Sequence, residues 1–103
     1  MTIIESVKLR CGIPEAITVY DEEFRQLITS CIDDMLTAGV PSTVIPSAYT
    51  DDESDNTTQR AITAITLYVQ AYRASDRSDT TLYIRLYRNI LHKLMLEPEE
   101  EGD

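Results

Sequence analysis

The stretch TTQRAITAITLYVQAYRASDRSDTTLYIRLYRNILHKLML, Thr57 to Leu96, decides the fold. Most of its large apolar residues recur three or four positions apart, the spacing that lines one face of an α-helix. In the first half Ala61, Ile62, Ile65, Tyr68, Val69 and Tyr72 share a face, with Thr57 or Thr58 placed to open the helix and the ASDRSD cluster to close it. In the second half Tyr83, Leu86, Tyr87, Ile90, Leu91, Leu94 and Met95 share another, with Ser78 or Asp79 as cap. A connection of about five residues favours an antiparallel helical hairpin.

Upstream, DEEFRQLITSCIDDMLTAG places Phe24, Leu27, Ile28, Cys31, Ile32, Met35 and Leu36 on one face. Asp21 is a natural N-cap there, and Glu22 and Glu23 sit in the first turn, where the helix dipole favours carboxylates. Gly39 offers a left-handed stop before Pro41. Nearer the N-terminus, Ile3, Ile4, Val7 and Cys11 follow helical spacing, Thr2 and Glu5 form a capping-box pattern, and Gly12 and Pro14 end the segment. The expected fold is all-α, a small four-helix bundle of residues 1–96.

Two segments fall outside these stripes. From Val40 to Asn56, VPSTVIPSAYTDDESDN forms a long loop between the second and third helices, a length that usually marks a functional loop or an arm ordered by a partner. Within it STVI could pair as a short edge strand, kept short by the flanking prolines. The last stretch, EPEEEGD at 97–103, has no apolar residue and is expected to be a flexible acidic tail.

Composition bounds the function. A chain of 103 residues forms one domain with a thin core. No apolar run approaches the ~20 residues that span a bilayer, and the start lacks a signal-peptide pattern, so synthesis in the cytoplasm and no membrane partner are expected. Cys11 and Cys31 then read as free thiols in the core. Eighteen acidic residues against nine basic ones give a formal charge of -9, which disfavours tight binding to nucleic acid.

Constellations that could carry catalysis fail on inspection. Asp33 and Asp34 diverge by about 100° on a helix and read as a solvated face. In DDESDN, Asp51, Glu53 and Asp55 alternate like calcium-loop ligands, but Asn56 stands where glycine is wanted and Ile62 where a bidentate glutamate is needed. His92 is the only histidine, which rules out a two-histidine metal site within one chain, and three glycines supply no phosphate loop. No enzyme and no cofactor are expected.

What remains is surface. Arg60, Arg73, Arg77, Arg85, Arg88 and Lys93 lie in the second half and could meet a partner's carboxylates or simply be solvated. Tyr68, Tyr72, Tyr83 and Tyr87 fall on or beside the hairpin stripes, and tyrosine suits surfaces that are half buried and half wet. Two broad stripes on a thin core point to assembly.

The order of elements resembles the small head-tail connector, or adaptor, proteins of long-tailed bacteriophages. The likeness runs from Ile3 to about Leu96, through LRCGIP, DEEFRQLITSCIDDML closing on Gly39, the long loop, AITAITLYVQAYRA and the tyrosine-rich last helix. It implies a structural virion protein at the head-tail interface, a ring of about twelve copies beneath the portal that extends the DNA channel and carries the stopper or tail-completion protein below. On this resemblance residues 1–96 form the connector domain. Leu94, Met95, Leu96, Glu97, Glu99 and Glu100 become the portal-facing candidates, and Val44, Ile45 and Tyr49 the arm. The subunit-interface candidates are Tyr68, Tyr72, Arg73, Tyr83, Arg85, Tyr87 and Arg88. DNA would pass through without tight binding, because few cations face its phosphates. The competing expectation is a small acidic helical regulator of a host or phage protein, acting as a mimic of DNA charge.

Overall fold

Thr2 opens the first helix by the reciprocal contacts its sequence predicts. Its hydroxyl accepts the Glu5 amide at 3.2 Å, and the Glu5 carboxylate accepts the Thr2 amide at 3.0 Å. That Thr2 backbone donor is the main reason the Glu5 carboxyl is held below its ordinary value. In this computed structural model, which describes residues 2–41, 44–45, 58–73 and 77–96, the backbone alone at 77–79, four helices follow. They are α1 (Ile3–Arg10), α2 (Asp21–Ala38), α3 (Gln59–Arg73) and α4 (Arg77–Met95). The fold is all-α, with no strand among the described residues.

Glycine ends α2 for a reason visible in its backbone. Gly39 has φ 107°, its amide reaches the Leu36 carbonyl at 3.1 Å, and the Val40 amide reaches back to Met35 at 3.0 Å. This closing pair satisfies carbonyls that the helix end would leave orphaned, and it turns Val40 inward beside Met35, both buried.

The start of α2 departs from expectation. Asp21 does not cap it; Tyr20 occupies the N-cap position with no side-chain bond, and Asp21 instead faces the Lys8 ammonium at 2.7 Å. A buried ammonium needs a counter-charge more than a helix end needs one cap. In α3, Thr58 does take a capping part, its hydroxyl accepting the Ala61 amide at 3.2 Å. Helix α4 begins at Arg77, so Ser78 and Asp79 lie in its first turn and do not precede it.

α3 is the central element. Ala61, Ile62, Ala64, Ile65, Thr66, Val69 and Ala71 are all buried, which is most of the way round the helix and wider than the single predicted stripe. A helix buried on several sides must be packed on several sides. α4 packs against it most extensively, and α2 and α1 also pack on it. Thr66 is tolerated inside because its hydroxyl donates to the Ile62 carbonyl at 2.8 Å, and Thr80 ties the hairpin by donating to the Ala71 carbonyl at 3.3 Å.

Val44 and Ile45 are core residues. Both are buried, and the Thr58 amide donates to the Val44 carbonyl at 3.1 Å. The edge strand expected at 42–45 does not form there: Val44 and Ile45 lie in a turn and a bend, and Ser42 and Thr43 lie outside the described residues. The tail at 97–103 also lies outside them.

Candidate interaction surfaces

Three internal devices fix what the surface can present. The first is Lys8, which falls on the apolar stripe of α1, four residues after Ile4, and is 3% exposed. Its ammonium donates to the Ile17 carbonyl at 2.7 Å and the Glu15 carbonyl at 3.3 Å. The Asp21 carboxylate lies 2.7 Å from the same ammonium and forms an ion pair with it. One cation thus pins the whole α1–α2 connection from beneath. Outside, the same connection exposes Ile17, Val19 and Tyr20, with Val19 at 76%.

Arg73, at the end of α3, is the second device. Its guanidinium lies 4.8 Å from the Phe24 ring centre and 5.2 Å from that of Tyr20, and its Nε donates to Glu23 at 3.2 Å. It clamps the end of α3 to the start of α2 through stacking and charge together.

The third is a polar chain in the core. The Tyr87 hydroxyl donates to Asp34 at 2.6 Å, Cys31 sulfur lies 3.9 Å from the same oxygen, and the Tyr68 ring meets Tyr87 edge-on with centroids 5.3 Å apart. Burial is the first cause raising the Tyr87 phenol and the Cys31 thiol above their ordinary values. Tyr68 is pushed up to about 12, by desolvation first and by Tyr72 next. Burial likewise raises Cys11, so neither thiol is poised as a nucleophile.

These placements sort the residues singled out in the sequence. Tyr87, at 3% exposure, is spent inside the chain and is not a surface residue, and the same holds for Leu94. The sequence could not separate them from their neighbours, because α4 carries apolar residues over more than its buried width. Val44 and Ile45 are likewise core and not arm. Tyr72, Arg85, Arg88, Met95 and Leu96 are exposed, Tyr68 and Tyr83 are half-buried, and Arg73 is engaged with Glu23. Tyr49, Glu97, Glu99 and Glu100 lie outside the described residues. Lys8 was missed, although a lysine on an apolar stripe is itself a signal of a buried cation.

α4 presents the most distinctive outer face. Leu82 and Leu86, one turn apart, are exposed beside Arg85 and Arg88. A shallow groove of about 520 Å³ lined by Thr80, Thr81, Ile84, Arg85, Arg88 and Asn89 runs along it. Among the described residues no ion pair engages Arg85, Arg88 or Lys93, and no group of three His, Cys, Asp or Glu side chains could hold a metal. No helix there is long and apolar enough to cross a membrane.

Fold and surface together define a small helical protein that exposes large apolar residues beside charged ones. A family model described as phage connector protein matches residues 3–101, and the chain belongs to that family. Membership makes it a structural protein of the phage head-tail junction, where portal and tail proteins are its neighbours. Comparison with curated proteins and with solved structures returned no match.

Proposed function

We propose that this chain assembles as a ring between the capsid portal and the tail or stopper protein, extending the channel through which DNA leaves the head. The observation that carries the reading is the family match over residues 3–101. Two surface features support it. The α1–α2 connection and α4 both expose large apolar residues beside charged ones, as expected of a subunit finished by its neighbours. The formal charge of -9 suits a conduit that repels phosphate and lets a duplex slide, since each cation placed against the backbone would add a salt-sensitive hold.

The test is to mix the purified chain with its portal protein and image the complex. A closed ring of stoichiometric copies seated on the portal is the expected result. A chain that stays monomeric beside the portal, and instead captures a single regulatory protein through its carboxylates, would replace this reading with the acidic-regulator one.

A further inference from the structure

The charge of this protein is unevenly distributed. α4 carries Arg77, Arg85, Arg88 and Lys93 against Asp79 alone, and from Thr80 to Leu96 it has no acidic residue, in a chain with twice as many acids as bases. On its outer side the cations alternate with exposed Leu82 and Leu86. A different mixture occurs at the α1–α2 connection, where exposed Ile17, Val19 and Tyr20 lie near in sequence to exposed Glu15 and Glu22, the latter paired with Arg25 at 3.7 Å, and where Arg73 covers the Tyr20 ring at 5.2 Å. The first patch lies on α4 and the second on the connection between α1 and α2. One is apolar and cationic, the other apolar with exposed carboxylates.

We infer that these patches are the two halves of one contact: the outer face of α4 in one copy docks on the α1–α2 connection of the next. This rests on the ring reading and deepens it by naming the surfaces. A closed cyclic assembly needs two different, mutually complementary patches per chain, because a head-to-tail contact cannot use the same patch twice. Charge complementarity selects a second copy over duplex DNA as the occupant of α4. Leu82 and Leu86 would be left against phosphates by DNA, whereas Ile17, Val19 and Tyr20 can cover them while Glu15 and Glu22 meet Arg85 and Arg88. The acceptor is also pre-organised. Lys8 bonds the carbonyls of Glu15 and Ile17 and pairs with Asp21, so the connection loses little freedom on docking.

A charge swap tests it. R85E/R88E makes both patches acidic, and E15K/E22K makes both basic; each variant alone then opposes like charges in every contact. Mixed in equal amounts, they restore an opposite pair at every junction of an alternating ring. All four positions are exposed, and circular dichroism checks that both variants keep their helices. The expected result is that each variant alone forms portal-bound rings at least tenfold less efficiently than the native chain, and that the mixture recovers them. Rings formed undiminished by either variant alone, or no recovery on mixing, would overturn the inference while leaving the ring reading intact if the native chain closes on the portal. Should the native chain form no ring, cross-linking of L86C to V19C in concentrated solution decides separately. A cross-link in the mixture and in neither variant alone upholds the contact, and its absence overturns it.

Discussion

The Tyr87 hydroxyl of α4 donates to the Asp34 carboxylate of α2 at 2.6 Å, joining two helices that otherwise communicate mainly through α3. Asp34 is exposed and Tyr87 is buried, so the bond takes a phenol that burial would leave unpaired and anchors it to a carboxylate still partly in water. Tyr87→Phe removes the donor while keeping the ring packed on Tyr68. It is expected to cost about 1 kcal/mol, a fall of roughly 4–8 °C in the thermal midpoint of a chain this size. Tyr87→Ala adds a cavity and should cost about 3–5 kcal/mol. Thermal denaturation followed by circular dichroism checks both, and a Phe variant as labile as the Ala one would show that the hydroxyl bond, and not the packing of the ring, carries the stabilisation.

Alkaline pH should unfold the protein through the same cluster. The phenols of Tyr68 and Tyr87 have folded values above the ordinary 10.0, Tyr68 near 12, so the folded state favours their protonated forms. Their contribution is whole below pH ~10 and is lost as pH rises through the folded values. Stability should therefore fall steeply between about pH 10 and 12. In Tyr68→Phe/Tyr87→Phe that fall should be shallower, measured as the slope of the urea midpoint against pH; an unchanged slope would place the alkaline sensitivity elsewhere.

The parts of this fold legible in sequence are those governed by period and by backbone chemistry. Helix spacing located all four helices, the Thr2–Glu5 pattern gave the cap of α1, and Gly39 gave the end of α2, because each is decided within a few residues. What sequence left open depends on the partner helix. The width of burial on α3, the inward turn of Val44 and Ile45, and the choice of Asp21 to pair with Lys8 are all set by residues far away in the chain or across a connection. The same holds for the surfaces: sequence could name Tyr87 and Arg88 as neighbours on α4, but only packing against Asp34 and Cys31 takes the first inside and leaves the second out. The exposed Ile17, Val19 and Tyr20 carried no period to mark them, since they stand in a connection and not in a helix.

Lys8 offers a sharper stability test than its neighbours. Lys8→Met keeps the stem's packing against α1 and α2 but leaves two carbonyls and the Asp21 carboxylate without their cation. Asp21 retains some contact with water, its side chain being 20% exposed, so the loss is expected at about 2–3 kcal/mol, below the cost of orphaning a fully buried charge. Adding Asp21→Asn should recover part of it, because the unpaired charge goes with the second substitution. Urea denaturation of the two single variants and the double one measures this coupling, and strict additivity would mean that the ion pair contributes nothing.

We propose that the C-terminal end docks on the portal through Met95 and Leu96, exposed at and just past the end of α4, Leu96 at 72%, with the acids Glu97, Glu99 and Glu100 following in sequence. An apolar step followed by a run of carboxylates suits a partner groove with a basic rim. Two substitutions separate the contributions. Leu96→Ala should weaken portal binding roughly tenfold or more if its side chain is buried there, since covering a leucine contributes about 1.5–3 kcal/mol. Deleting residues 97–103 should also weaken the complex, with a loss that shrinks as salt is raised, because screening already removes what the carboxylates contribute. Titration of labelled portal at low and at high salt reads both effects. If the deletion leaves affinity unchanged at low salt as well as at high salt, the acidic end has no part in docking; if Leu96→Ala is also neutral, the portal is held by another face of the helical domain.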